Sequence, residues 1–176
     1  AENGVSNIKT TKSGVVNNFS CRKKEIVDFE IKAMSEKEML ESNWLHNGGA
    51  GNLKIPVIEA LDGQLITNRL LFAPKVVEGK IVCDVERDIL KIVVVNRYNN
   101  APVAKAFIKN FGLKKGALAS SVAHDSHNIV AVGVDDESIC KAVNLVIKEQ
   151  GGVSAVSTSS QKVLGLPVAG LMSNED

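Results

Sequence analysis

The stretch ILKIVVV at residues 89–95 sets the fold class of this chain. It is rich in β-branched residues and is interrupted only by Lys91. A strand covered on one face alternates apolar and polar side chains, whereas a strand covered on both faces is apolar almost throughout. The stretch therefore predicts a central strand of a sheet, with both of its faces covered.

Further strands are predicted on both sides of this segment, because short apolar or alternating runs recur between turn residues. The candidates are 25–31, 55–61, 65–72, 80–83, 103–108, 117–122, 129–134, 153–156 and 162–168. Residues 103–108 are expected to pair with the central strand across a turn at 97–102. Asp62-Gly63 predicts a two-residue hairpin turn between the second and third candidates.

One long helix is predicted after the strand at 129–134. Asp135 and Asp136 stand where a helix N-terminus favours anions, and an apolar stripe follows at a spacing of three and four residues. Gly151-Gly152 is expected to end the helix. A second, short helix is predicted after a capping box at 35–38. Many strands and few helices indicate an α+β fold with mixed, mostly antiparallel sheets.

The composition limits the function. Lys plus Arg is 21 and Asp plus Glu is 20, so the net charge is +1 and a strong attraction to nucleic acid or to a membrane surface is not expected. The three cysteines are widely spaced, which favours a reducing, cytoplasmic environment. Residues 1–24 are polar and are interpreted as a lead-in or linker, and residues 25–176 as one domain.

The densest polar cluster is SSVAHDSHN at residues 120–128, which holds two of the three histidines. Apolar strand candidates flank it, so it should form a turn that holds imidazoles and a carboxylate on a rigid support. The alternative is a structural turn, in which Ser, Asp and Asn bond their own backbone. A metal site made by this turn alone is disfavoured, because a transition metal needs about three protein ligands in a suitable arrangement. The glycine-rich stretch at 46–51 lacks a phosphate-loop pattern and is interpreted as a flexible connection.

Residues 88–173 resemble the C-terminal domain of bacterial and archaeal adenine deaminases. The most specific match is ASSVAHDSHNIV at 119–130, and the match is weaker over 25–87 and absent over 1–24. The other matching segments, in the same order, are DILKI with VNRY at 88–98, FGLKKGA at 111–117, AVN at 142–144, GG at 151–152 and LPVAGLMS at 166–173.

The resemblance implies an enzyme of the amidohydrolase group that hydrolyses adenine to hypoxanthine and ammonia in purine salvage. In that family a (β/α)₈ barrel of the same polypeptide holds a divalent metal pair, manganese or iron, that activates water. The barrel's metal motifs are not present in this sequence, so no cofactor is expected to be bound by this chain alone. The implied partners are that barrel and adenine, without nucleic acid or membrane, and a homo-oligomer is left open.

With the resemblance, the polar turn is interpreted as part of the enzyme's active site or its edge. His124, Asp125 and His127 are the catalytic candidates, and Ser121 and Asn128 are the candidates for substrate binding. A second hypothesis is a regulatory or interface module in which the turn is a scaffold. A third, an independent metal hydrolase using His124, Asp125 and His127, lacks a full ligand set.

Overall fold

The computed structural model describes Ile26 and residues 54–78, 80–124 and 126–174. This part of the chain forms an eight-stranded sheet, a separate two-stranded hairpin and a helix on one face of the large sheet. The elements are β1 Ile55–Ala60, β2 Thr67–Phe72, β3 Lys75–Val77, β4 Lys80–Val82, β5 Ile89–Val95, β6 Ala104–Lys109, β7 Ala117–Ser120, β8 Ile129–Gly133, α1 Asp136–Lys148, β9 Gly152–Val156 and β10 Gln161–Gly165. The α+β class with a mixed, mostly antiparallel sheet is confirmed.

The large sheet has the strand order β10-β9-β7-β8-β5-β6-β1-β2. Its neighbours pair antiparallel except β1 and β6, which are parallel. The prediction for residues 89–95 is confirmed, because β5 lies between β8 and β6 and most of its residues are buried. Even Lys91 is only 3% exposed, and its ammonium pairs with Asp136 at the start of α1.

Helix α1 begins and ends through local hydrogen bonds. The N-cap Asp135 accepts a bond of 2.7 Å from the Ser138 N–H, as a capping carboxylate does. At the other end Gln150 has a positive φ of 61°, and its N–H and that of Gly151 bond carbonyls within the last turn. This is a Schellman ending with glutamine in the left-handed position. The expectation that the glycine pair ends the helix is therefore corrected: the helix ends at Lys148, and Gln150, not a glycine, takes the left-handed position after it.

The main core fills the space between α1 and the sheet. It contains the buried side of the helix, the facing residues of β5, β7, β8 and β9, and Ile26. Ile26 is helical and fully buried, so the predicted strand at 25–31 is wrong at this residue. The rest of that segment, the lead-in at 1–24, the capping box at 35–38 and the glycine-rich stretch at 46–51 lie outside the described residues.

Three details differ from the sequence prediction. The β1–β2 hairpin has a longer loop, residues 61–66, although a turn does form at Asp62-Gly63 with a bond of 3.1 Å from Gln64 N to the Leu61 carbonyl. The short β3–β4 hairpin places β3 where no strand was predicted, since three exposed residues carry no periodic signal. Strand β10 stops at Gly165, and the chain then turns at 166–172 through the bridge of Val168 with Met172.

No helix in the described ranges combines the length and the apolar character that spanning a membrane requires.

Candidate functional site

The predicted site residues lie on one loop, residues 121–128, which connects the antiparallel neighbours β7 and β8 and is called here the histidine loop. The backbone of the loop turns back on itself, because the His127 N–H bonds the Ala123 carbonyl at 2.8 Å. The side chains of Ser120 and Ser126 also bond backbone N–H groups two residues further on. The predicted turn on strand supports is therefore present, and part of its polar content serves the turn itself.

His127 is the most constrained described residue of the loop. Its φ is 47°, a left-handed value that is uncommon for a residue other than glycine. Its ring nitrogen Nδ1 is buried and has no hydrogen-bond partner among the residues that the structure describes. A buried, unsatisfied nitrogen costs about 1–3 kcal/mol. Backbone strain and an unsatisfied polar atom at the same residue are typical of functional sites.

The other two catalytic candidates are placed differently. The side chain of His124 is exposed at the outer part of the loop. Asp125 lies outside the described residues. The structure therefore brings His124 and His127 onto one loop, and a histidine–aspartate pairing is not part of the described geometry.

Ser121 is fully buried, whereas a residue that contacts substrate would be expected to be accessible. Its Oγ donates to the Gly170 carbonyl at 2.6 Å and accepts from the Gly152 N–H at 2.8 Å. These bonds tie the start of the histidine loop to β9 and to the turn after β10. Ser121 therefore has a structural role, and its proposed contact with substrate stays a prediction that these bonds do not support.

Asn128 is half-buried at the other end of the loop. Its Oδ1 accepts a bond of 3.2 Å from the Arg97 N–H, which fixes the loop to the end of β5. Its predicted role in substrate binding stays a prediction.

Sequence reasoning missed Arg97, the residue on which the loop rests. The side chain is 4% exposed, and burial lowers the pKa of its guanidinium below the ordinary value. The guanidinium donates to three carbonyls from separate segments: that of His127 at 3.1 Å, that of Gln150 at 3.4 Å and that of Ala169 at 3.0 Å. The signal available in the sequence was an arginine two residues after the end of the apolar central strand.

Four of the segments that resemble the family meet around Arg97 and Ser121. They are VNRY, ASSVAHDSHNIV, GG and LPVAGLMS. Arg97 comes from the first segment, and its contacts reach the histidine loop and the turn after β10. Gly170 allows the close packing, because a Cβ atom there would stand 2.3 Å from the Arg97 side chain. A surface pocket of about 600 Å³ lies beside the cluster and is lined in part by Gln150, Ala169 and Gly170.

A second polar group lies at the start of α1, in and around a pocket of about 400 Å³. The Cys83 thiol contacts the Lys91 N–H and the Gly133 carbonyl, and burial raises its pKa to about 11. A thiol with a raised pKa is a poor nucleophile. The contacts of Cys83 and the Lys91–Asp136 pair join β5, β8 and the start of α1 to the residue after β4.

The described residues contain no group of three or more His, Cys, Asp or Glu side chains placed to hold a metal ion. These residues do not fit a metal centre by themselves, and we assign no step on this chain to a metal.

Comparisons with known proteins show to which family the sequence is similar. The family model described as Adenine deaminase C-terminal domain matches residues 64–176. A protein named adenine deaminase from Salinibacter ruber is 43% identical over 176 residues, 99% of this chain and 29% of the relative. The adenine deaminases of Borreliella afzelii and Methanosarcina mazei are 37% and 54% identical, over 97% and 70% of this chain and 28% and 22% of theirs.

The chain spans less than a third of the length of these relatives, so the matched region is one domain of those longer proteins. This chain belongs to the adenine deaminase family and is its C-terminal domain.

Proposed function

We propose that this domain works in an adenine deaminase that hydrolyses adenine to hypoxanthine and ammonia, and that its histidine loop lines or closes the active site. The observation that carries the proposal is His127. Its buried Nδ1 has no hydrogen-bond partner within the described ranges, and its backbone is held at a positive φ. Strain and an unsatisfied polar atom are tolerated where a ligand or a neighbouring domain supplies the missing hydrogen bond.

The loop has the groups that such a role needs. An imidazole can donate or accept a hydrogen bond, so His124 and His127 can bond a purine ring nitrogen or the departing ammonia. Asp125 follows His124 directly and is proposed to orient an imidazole. Asn128 and Arg97 keep the end of the loop fixed, as a site that must hold a flat heterocycle requires.

We further propose that the metal-binding barrel is the preceding part of the same polypeptide, with manganese or iron as its divalent metal. When bound there, the metal supplies the activated water. The residues of this chain contribute shape and hydrogen bonds at the edge of that site. Purine salvage in the cytoplasm is the proposed physiological setting, and a homo-oligomer remains compatible with it.

A specific observation favours an alternative. The polar side-chain atoms of Ser121 and Asn128 form hydrogen bonds within the domain, as expected of a structural scaffold. In this alternative the domain is a non-catalytic interface or regulatory module, and His127 completes its hydrogen bonds against the neighbouring domain rather than substrate.

The test uses His124→Ala and His127→Ala in the full-length enzyme. We expect kcat/KM for adenine to fall at least tenfold for each variant, which corresponds to about 1.4 kcal/mol of lost transition-state stabilisation. Metal content should stay near that of the unchanged enzyme. Steady-state kinetics, metal analysis and thermal unfolding are measured on the same preparations, with Lys115→Ala, at an exposed position just before β7, as the control.

Each competing role gives another pattern. A metal ligand would lose metal on substitution. A scaffold residue would lower the melting temperature and leave the kinetics of the folded enzyme intact. Wild-type kcat/KM in both histidine variants would refute the proposed role of the loop.

A further inference from the structure

The sheet of this domain has a second face with an unexpected composition. Helix α1 packs on one side of β7, β8 and β9, where Ser154 Oγ bonds the Ala142 carbonyl of the helix at 2.7 Å. Residues alternate along a strand, so Leu118 and Val153 point to the opposite side. Burial follows this alternation, since β7 and β9 change between buried and more exposed residues at every step.

The exposed side is apolar where a half-covered antiparallel sheet is ordinarily polar. Leu118 is 41% exposed, Val153 is 39% exposed and Leu164 on β10 is 62% exposed. Strand register makes them neighbours, because Val153 pairs with Leu164 on one side and Ser120 on the other, while Leu118 pairs with Ala155. We call this surface, residues Leu118, Val153, Ala155 and Leu164, the open face.

Polar residues border the open face. Lys162 stands opposite Ala155 on the edge strand, and Ser120 stands beside Val153. An exposed apolar patch with a polar rim is the usual form of an interaction surface.

We propose that the open face docks against the preceding part of the same adenine deaminase polypeptide. The domain corresponds to only 22–29% of the length of its relatives, so most of such a polypeptide lies outside it. A free dimer needs about 800 Å² of contact on each partner, and a few exposed side chains fall short of that. A tethered neighbour docks at an effective concentration of roughly millimolar, for which a small apolar patch suffices.

The position of the open face also agrees with the proposed function. Strand β7 carries Leu118 on this face and leads directly into the histidine loop, where Val122 is 49% exposed. A neighbour that covers the face therefore lies next to the loop. The inference rests on the proposed function only in placing the domain inside a longer enzyme, and it is independent of any catalytic role of the histidines.

The experiment is thiol labelling at single sites. Leu118→Cys, Val153→Cys and Leu164→Cys are made in the isolated domain and in the full-length enzyme, and labelling by N-ethylmaleimide is followed by peptide mass spectrometry. Lys141→Cys is the control, because Lys141 is exposed on the solvent side of α1, across the sheet. Peptide mapping separates each site from the native thiols, of which Cys83 has a pKa of about 11.

We expect the three open-face cysteines to react at least tenfold more slowly in the full-length enzyme than in the isolated domain, and Lys141→Cys to react equally in both. Equal rates for the open-face sites in the two proteins would overturn the proposal. Slow labelling of these sites in the isolated domain would also overturn the proposal. If sedimentation then showed dimers, the open face would be assigned to contact with a second copy of the chain. Labelling does not depend on turnover, so failure of the histidine-loop proposal would leave this result unchanged.

Discussion

At the scale of single residues, Arg97 organises the candidate site. Its guanidinium has five N–H donors in a fixed plane, which lets it bond carbonyls from different directions. Those carbonyls belong to the histidine loop, the second residue after α1 and the turn after β10. One buried side chain therefore joins three segments that are distant in sequence, and the position of His127 depends on it.

Replacing Arg97 by methionine should destabilise the domain by about 3 kcal/mol, because buried carbonyls would lose their donors. Lysine should restore less than half of this loss, since one ammonium cannot replace a planar fork. Denaturant unfolding measures both variants. Arg69→Met, at an exposed position of β2, is the control and should change stability by less than about 0.5 kcal/mol. Equal stability of the Arg97→Lys variant and the unchanged domain would show that the fork geometry is unimportant.

At the scale of elements, the connection from α1 to β9 shows how the backbone creates the close packing. The helix ends at Lys148, Gln150 takes the left-handed position after it, and the following glycines continue with positive φ into β9. At Gly151 φ is 131°, a conformation open essentially to glycine only. A Cβ atom at this position would stand 2.3 Å from the Gly170 Cα. The glycine is therefore required by the approach of the turn at 166–172 rather than by the end of the helix.

Gly151→Ala should lower the stability of the domain by about 3 kcal/mol or more, because strain and overlap add. Gly63→Ala is the matched control: its φ is also positive, at 66°, but nothing lies within 4 Å of the added Cβ. It should lose only about 1–2 kcal/mol, the cost of a left-handed residue alone. Thermal unfolding compares the two, and similar losses would mean that the turn at 166–172 moves aside without cost.

At the scale of the whole molecule, the described residues form one domain in which a single long helix covers part of a large sheet. Its described residues hold no group of three side chains placed to bind a metal ion, and on β7, β9 and β10 the face opposite α1 is apolar and exposed. Both features agree with a domain that matches less than a third of its relatives' length.

The isolated chain should release no ammonia from adenine, with or without added Mn²⁺, Fe²⁺ or Zn²⁺. Hydrolytic deamination needs an activated water, and the described residues offer no set of ligands to hold a metal for it. Turnover that persists through purification and disappears in the His124→Ala variant would place a complete active site on this chain.

The sequence by itself determined the elements whose signal is local. The continuous apolar run of β5, the stripe and acidic start of α1, and the apolar segments of β6 to β9 all predicted structures that are present. Periodicity and capping residues act within a few positions along the chain, so they can be recognised without the fold. The same holds for the histidine loop, whose flanking strands marked it as a turn.

Only the tertiary structure decided which residues meet. The burial of Ser121, the contacts of Arg97 and the unsatisfied Nδ1 of His127 depend on partners up to 72 positions away along the chain. The open face is also a tertiary property, because Leu118 and Val153 have the apolar, alternating pattern of core residues. Whether such a residue is covered depends on how many layers pack on the sheet, and here α1 covers one face of β7 and β9 while the other remains open.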